Sequence, residues 1–120
     1  MANTTPGPAI PLANSGTGTT SATATLTSTA NRVAYCTGLT VTSSGATSPG
    51  TPTVTLTNTI GGTLSFAYPQ VAVASNNQCT LELAFNPPIQ ATNVNTNMVA
   101  SVTTGAGTTV TAITITGYMI

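Results

Sequence analysis

The sequence is almost free of charge. Its 120 residues include one basic residue, Arg32, one acidic residue, Glu82, and no histidine. Globular chains average about 25% charged residues, whereas this chain has 2%. One cation cannot neutralise the several phosphates that nucleic-acid binding requires, and it cannot hold an anionic membrane surface. We therefore predict no nucleic-acid partner and no membrane partner. Because a net charge near zero favours association, we expect neighbouring chains to cover much of the surface.

The groups on which most catalysis depends are scarce for the same reason. Aspartate and lysine are absent, so Glu82 is the only carboxylate side chain, and no histidine can activate a cysteine. Two cysteines and one glutamate do not make a zinc site within one chain. The sequence predicts that the protein is not an enzyme and has no catalytic residue, metal, cofactor or small-molecule substrate.

Long apolar runs are missing as well. No stretch approaches the roughly 18 apolar residues of a transmembrane helix. The N-terminal "MANTTPGPAIPL" lacks the basic region and the continuous apolar segment of a signal peptide. We expect the chain to remain in the cytoplasm where it is made, or to leave the cell as part of a particle.

The two cysteines, Cys36 and Cys79, are predicted to be free thiols. Cys36 is predicted to point away from an alternating row that consists of Val33, Tyr35, Leu39 and Val41. Cys79 instead begins a row that continues through Leu81, Leu83 and Phe85 and reads as core. A disulfide needs the two Cα atoms within about 7 Å, and thiols of cytoplasmic proteins are reduced by default.

Residues 1–18 predict an extended N-terminal arm outside any sheet. Proline and glycine, which oppose helices and strand pairing, occupy positions Pro6, Gly7, Pro8, Pro11, Gly16 and Gly18. Apart from Met1, the large apolar residues of the arm are Ile10 and Leu12. We predict that these two residues bind a neighbouring chain and become ordered only there. The alternative is a disordered tail.

Residues 19–120 predict one β-domain. Threonine makes up about a quarter of the chain, β-branched residues favour strands, and apolar residues alternate with the threonines. Strands are predicted at residues 22–26, 33–42, 53–60, 64–68, 79–85, 98–103 and 108–120, with a short piece at 71–74. A tight turn is predicted at Gly61-Gly62, a bulge near Ala112, and the end of a strand at "NPP", residues 86–88.

This pattern predicts an all-β, antiparallel β-sandwich or jelly-roll-like fold of seven to eight strands, with the extended N-terminal arm. The period-two rows predict a core of Tyr35, Leu39, Val41, Val54, Leu56, Leu64, Phe66, Leu81, Leu83 and Phe85.

Threonine ranks also occur in ice-binding proteins. Those ranks lie on solenoids with a fixed repeat, whereas the tracts here begin at residues 23, 53 and 109, without a common period. A carbohydrate-binding module is disfavoured by the absence of tryptophan and the 4% aromatic content, because aromatic side chains are the usual binding platforms.

From about residue 20 onward the sequence resembles small β-sandwich proteins encoded among the structural genes of tailed bacteriophages. The similarity lies in "STANRVAYCTGLTVT" (28–42), in the hairpin around Gly61-Gly62 and in the closing "ITITGYMI" (113–120). Such proteins have a basic residue shortly before an aromatic one and a T-G-Y close. The matching residues here are Arg32, Tyr35, Thr116, Gly117 and Tyr118.

The resemblance implies a virion component that is assembled in the host cytoplasm. We expect a capsid decoration (cement) protein, a homotrimer that binds the major capsid protein and bridges its subunits. Bridging converts modest contacts into high avidity, and trimers match the threefold positions of a capsid lattice. The alternatives are a small tail or fibre component, a module that binds a host receptor, and, more distantly, an adhesin-like module of a cell surface.

Overall fold

The computed structural model describes residues 8–44, 52–68, 78–103 and 110–120. These residues form strands without any helix, so the all-β prediction is confirmed. The eight strands are β1 (Ile10–Gly18), β2 (Ser21–Leu26), β3 (Ala34–Ser44), β4 (Thr53–Thr59), β5 (Gly62–Ala67), β6 (Gln78–Gln90), β7 (Met98–Thr103) and β8 (Val110–Met119). The short piece predicted at 71–74 lies outside the described residues.

The strands form two antiparallel four-stranded sheets. The first sheet has the order β1-β8-β3-β6 and the second the order β2-β7-β4-β5. Four of the strand pairs follow the pattern of one long hairpin, in which the first half of the chain runs beside the second half. These pairs are β1–β8, β2–β7, β3–β6 and β4–β5. Rolling this hairpin up brings β3 against β8 and β4 against β7. The result is the jelly roll, as the sequence predicts.

The core lies between the two sheets and follows the alternation of the sequence. In β2, for example, Ala22, Ala24 and Leu26 are buried, whereas Ser21 and Thr23 are exposed. The buried apolar residues that form the core cluster are Ala22, Ala24, Leu26, Ala34, Cys36, Leu39, Val41, Val54, Leu56, Tyr68, Cys79, Ala91, Met98, Ala100, Val102, Ile113 and Ile115.

The predicted core is confirmed in its central strands. Leu39, Val41, Val54 and Leu56 are buried. The predicted core residues of the edge strands β5 and β6 pack against the core but remain half-buried: Leu64, Phe66, Leu81, Leu83 and Phe85. β5 and β6 each have a neighbour on one side only, whereas the inward side chains of the edge strand β2 are buried because β1 lies close against it.

The predicted orientation of Cys36 is wrong. The pairing of β3 with β8 shifts register between Cys36 and Gly38, so Thr37 is an extra residue relative to β8 and forms a β-bulge. A bulge reverses the phase of the alternation. Cys36 therefore lies on the buried face together with Leu39, while Tyr35 lies half-buried on the outer face.

The predicted bulge near Ala112 is absent from the described pairing. β8 keeps one continuous register against β1 throughout, and its only shift against β3 arises from the bulge at Thr37. The buried row of β8 includes Thr111, Ile113 and Ile115. The sequence suggested a change of phase in the alternation because position 111, which is buried, carries a threonine and not an apolar residue.

The strand predicted to stop at residues 86–88 continues to Gln90. β6 pairs with β3 as far as Ala84 and resumes pairing at Ile89. The four residues between them, 85–88, stand opposite Thr37 alone, so this edge of the sheet protrudes. Proline lacks the N–H that a ladder uses, and edge strands and bulges are the places where sheets tolerate it.

The structure differs from the predicted arm at residues 10–18, which form the edge strand β1 and pair with β8 from Ile10 to Gly18. Glycine, which suggested an irregular segment, has a packing role here. A Cβ atom at Gly16 would lie 2.0 Å from the carbonyl oxygen of Thr23, so only glycine permits β1 to approach β2 this closely. The beginning of the predicted arm, residues 1–7, lies outside the described residues.

A buried tyrosine links the two sheets at the other side of the sandwich. Tyr68 follows β5 and is 1% exposed. Its hydroxyl donates a hydrogen bond to the Cys79 carbonyl of β6 at 2.7 Å and lies 2.6 Å from the Ser43 hydroxyl of β3. These bonds satisfy the polar end of a side chain whose ring fills the core.

Among the described residues, the hydroxyl of Thr111 lacks such a partner. The side chain is 1% exposed, and its Oγ1 makes no hydrogen bond within the described ranges. We predict that Thr111→Val raises the free energy of unfolding by about 1 kcal/mol, because burying an unpaired polar group is costly. Urea unfolding measures the effect. Thr114→Val, on the outer face of the same strand, is the control and should change stability by less than about 0.5 kcal/mol. Equal or lower stability for Thr111→Val would contradict the prediction.

Candidate functional site

One end of the sandwich brings together three loops and both termini of the described fold. The loops are residues 27–33, 60–61 and 91–97, which connect β2 to β3, β4 to β5 and β6 to β7. The start of β1 and the end of β8 lie beside them: Ile10 pairs with Met119, and Val33 of the first loop exchanges two backbone hydrogen bonds with Ile120. We call this region, which consists of residues 8–10, 27–33, 60–61, 91–97 and 120, the loop end.

Asparagine residues fix the first and third loops to each other. The backbone N–H of Asn31 donates to Oδ1 of Asn95 at 2.8 Å, and Nδ2 of Asn95 donates to Oδ1 of Asn31 at 2.9 Å. The backbone N–H of Asn95 also donates to the Arg32 carbonyl at 2.9 Å. Asn31 and Asn95 have positive φ values of 57° and 55°, which asparagine tolerates better than most residues.

A third asparagine connects the remaining loop. Asn58 has a φ of 63°, and its Nδ2 donates to the Asn97 carbonyl at 2.8 Å. The Asn58 carbonyl accepts from the backbone N–H of Thr92 at 3.0 Å, and the N–H of Ile60 donates to the Gln90 carbonyl at 2.9 Å. The loop end is thus a hydrogen-bonded unit.

This unit carries the exposed large hydrophobic residues of the described chain. Ile10 is 37% exposed, Ile60 65% and Val94 47%. The only cation of the sequence, Arg32, lies at the same end, where its Nη1 donates to the Pro8 carbonyl at 3.4 Å. Single exposed apolar residues are normal on a protein surface. Here three exposed apolar residues and several asparagines share one end, and both residue types occur in protein interfaces, whose centre is apolar and whose rim is polar.

The two residues predicted to bind a partner have different positions. Ile10 belongs to the loop end and is exposed. Leu12 stands opposite Gly117 of β8 and packs half-buried against the core of its own chain. The expectation that both become ordered only against another chain differs from the structure, because β1 is already paired with β8.

The sequence interpretation missed Ile60 and Val94. Ile60 continues the even-numbered row of Val54 and Leu56, so a regular strand would bury it. The pairing of β4 with β5 shifts register between Leu56 and Thr59. Consequently Thr59 is buried and Ile60 points outward. An asparagine just before the turn, at position 58, is the one sequence signal of this irregularity.

The two broad outer faces differ from the loop end in being rich in hydroxyl groups. On the second sheet, cross-strand pairing aligns the four residues Thr23, Ser101, Thr55 and Ser65 in one row. The hydroxyls of Thr55 and Ser101 lie 2.9 Å apart. On the first sheet, Glu82 is exposed opposite Thr40. Hydroxyl groups bond to water or to a partner without the desolvation cost of a charge.

Two of the three tyrosines of the sequence are cross-strand neighbours. Tyr35 of β3 pairs with Tyr118 of β8. Their rings stack with centroids 5.2 Å apart and planes inclined by 15°. The pair lies on the outer face of the first sheet, close along both strands to the loop end.

Neither cysteine belongs to a disulfide and both are buried, which confirms the prediction that they are thiols. Burial raises the pKa of the Cys36 thiol to about 11, and a backbone hydrogen bond with Gly38 opposes part of this shift. The described residues hold no cluster of three or more histidine, cysteine, aspartate or glutamate side chains. No helix in the described ranges has the length and apolarity needed to cross a membrane.

No protein family matches this chain, and no curated protein matches it. The loop end and the hydroxyl-rich faces are therefore the features from which a function is proposed.

The raised pKa of Cys36 predicts that stability falls as the pH rises from about 9 to about 11. In the unfolded chain the thiol ionises at its ordinary pKa, while the folded chain keeps the proton to higher pH. The unfolded state therefore gains stability first. Urea unfolding across this range, compared with Cys36→Ala, measures the contribution. An identical pH dependence in both proteins would contradict the prediction.

Proposed function

We propose that this chain is a non-enzymatic structural protein of a virion, and specifically a capsid decoration (cement) protein of a tailed bacteriophage. The observation that carries the proposal is the loop end, where Ile10, Ile60 and Val94 are exposed together on a molecule with almost no charge. The partner is the major capsid protein, whose neighbouring subunits the decoration protein bridges.

The physical chemistry of the surface supports a role in an assembly. Burying an exposed isoleucine or valine side chain contributes about 1.5–3 kcal/mol. The loops that present these side chains are fixed by hydrogen bonds, so little conformational entropy is lost when they bind. The hydroxyl faces allow close packing of copies without desolvating charges.

The jelly roll is compatible with this role. Jelly rolls occur in viral capsid domains, but also in lectins and cupins. A shared fold does not establish a shared function. The proposal therefore depends on the surface and on the residues that resemble phage proteins, among them Tyr35 and Tyr118.

A homotrimer remains the favoured assembly on grounds of symmetry, because local threefold positions recur across a capsid lattice. A trimer would present three copies of the loop end to the capsid. Once one copy has bound, the others bind almost intramolecularly, so modest individual contacts give strong attachment. The protein would then be located in the virion.

The alternative is a small tail or fibre component, or a module that binds a host receptor. The two proposals differ in copy number. Quantitative mass spectrometry of particles purified from a lysate in which the gene is naturally expressed should give a number of copies comparable to the major capsid protein for a decoration protein. A few copies per particle would favour the tail or fibre position, and absence from the particles would contradict both.

The proposed contact predicts the effect of two substitutions. Ile60→Ser with Val94→Ser should weaken binding to such particles at least about tenfold, since the two side chains together would contribute more than the roughly 1.4 kcal/mol that a tenfold change requires. Co-sedimentation of the purified protein with particles stripped of it measures the affinity. Thermal unfolding should be unchanged, because both side chains are exposed.

A suitable control is Ala84→Ser, an exposed position on the outer face of the first sheet. It makes a small apolar side chain polar at a distance from the loop end along β6. Unchanged binding by the double variant, or an equal loss with Ala84→Ser, would show that the loop end is not the contact.

A further inference from the structure

The jelly roll has four edge strands, and three of them have features that oppose pairing along part of their length. Edge strands expose unpaired backbone groups that can pair with another chain. β1 and β2 lie against each other, as the 2.0 Å approach at Gly16 shows. β6 protrudes at residues 85–88, where Pro87 and Pro88 lack an N–H. Along β5, residues 62–67, there is no proline, no charge and no inserted residue.

The outward backbone groups of β5 are identified by its pairing with β4. The N–H of Tyr68 donates to the Pro52 carbonyl at 2.8 Å and so points toward β4. In an antiparallel strand, alternate residues direct both backbone groups to the same side. The N–H and C=O groups of Thr63, Ser65 and Ala67 therefore point away from β4. Within the described ranges, no strand pairs with this side of β5.

We propose that β5 pairs with β5 of a second copy of this chain, antiparallel about a twofold axis through Ser65. Ser65 then faces its own counterpart, and Thr63 faces the second copy's Ala67. Each of these pairs exchanges hydrogen bonds, about six in all, because outward-pointing residues stand opposite one another. The second sheet becomes continuous across the two molecules.

The sequence of β5 is self-complementary in this register. On the inner face, Leu64 stands opposite the second copy's Phe66, in a pair without backbone hydrogen bonds, where side chains approach most closely. Both residues are half-buried within one chain, so pairing covers apolar surface that remains open. On the outer face, hydroxyl and methyl groups meet, and no like charges oppose each other. A twofold axis requires this kind of self-complementary patch.

The pairing does not depend on the proposed function. It is a twofold contact and is separate from the threefold arrangement considered for a capsid. A chain that forms both contacts would give assemblies with an even number of chains, and a chain that forms only the β5 contact would give dimers.

Disulfide trapping tests the register directly. In Ser65→Cys the two introduced thiols would lie on residues whose Cα atoms are about 5.5 Å apart, within the range of a disulfide. In the control Thr63→Cys the equivalent atoms would be more than about 13 Å apart, given a rise of about 3.4 Å per residue. Both native cysteines are buried. We expect mild oxidation to shift Ser65→Cys, and not Thr63→Cys, to twice the mass on a non-reducing gel.

A second variant removes the contact. Ser65→Pro deletes an N–H that points away from β4, so the fold should be retained while the assembly loses its twofold contact. Light scattering should show the mass of the assembly halved, and circular dichroism checks the fold. Equal trapping of both cysteine variants, or none, would overturn the proposal. A monomeric wild-type protein would also overturn the proposal. The same holds if the Ser65→Pro variant is folded and its assembly has the same mass as that of the wild type.

Discussion

The fold depends on the burial of alternate residues between two sheets. The chain contains almost no charge that could fix orientation by ion pairing, so the side of each strand that carries apolar side chains decides which face is buried. Threonine makes this arrangement possible on the other face. Its β-branched side chain favours the strand conformation, and its hydroxyl bonds to water or to a neighbouring hydroxyl, as between Thr55 and Ser101.

Irregularities in this alternation create the features that distinguish the molecule from a uniform sandwich. The extra residue Thr37 turns Cys36 into the core and Tyr35 outward, where it stacks on Tyr118. The register shift before Thr59 turns Ile60 outward at the loop end. Each bulge thus relocates a large side chain from one environment to the other, and the proposed contact with a capsid depends on the second of these shifts.

Two hydroxyl groups inside the core differ in their hydrogen bonding. Tyr68 satisfies its hydroxyl on both β3 and β6 and connects the sheets where they are otherwise joined by half-buried edge residues such as Phe66 and Phe85. The hydroxyl of Thr111 has no partner in the described part of the chain. The proposed association with other copies is based on the neutral outer surface and on the β5 edge, which is unpaired within the described ranges, and the regular pattern of β5 sets the proposed register.

The sequence by itself determined the fold class, the predicted strands in the central parts of the sheets and the buried positions Leu39, Val41, Val54 and Leu56, because period-two alternation depends only on neighbouring residues. It did not determine the position of Ile10–Gly18, which pair with β8 some hundred residues away, or the orientation of Cys36 and Ile60. Those depend on bulges, and a bulge is decided by pairing with other strands. The tertiary structure alone gathered Ile10, Ile60 and Val94 at one end, because rolling up the hairpin brings together loops that are distant in the chain.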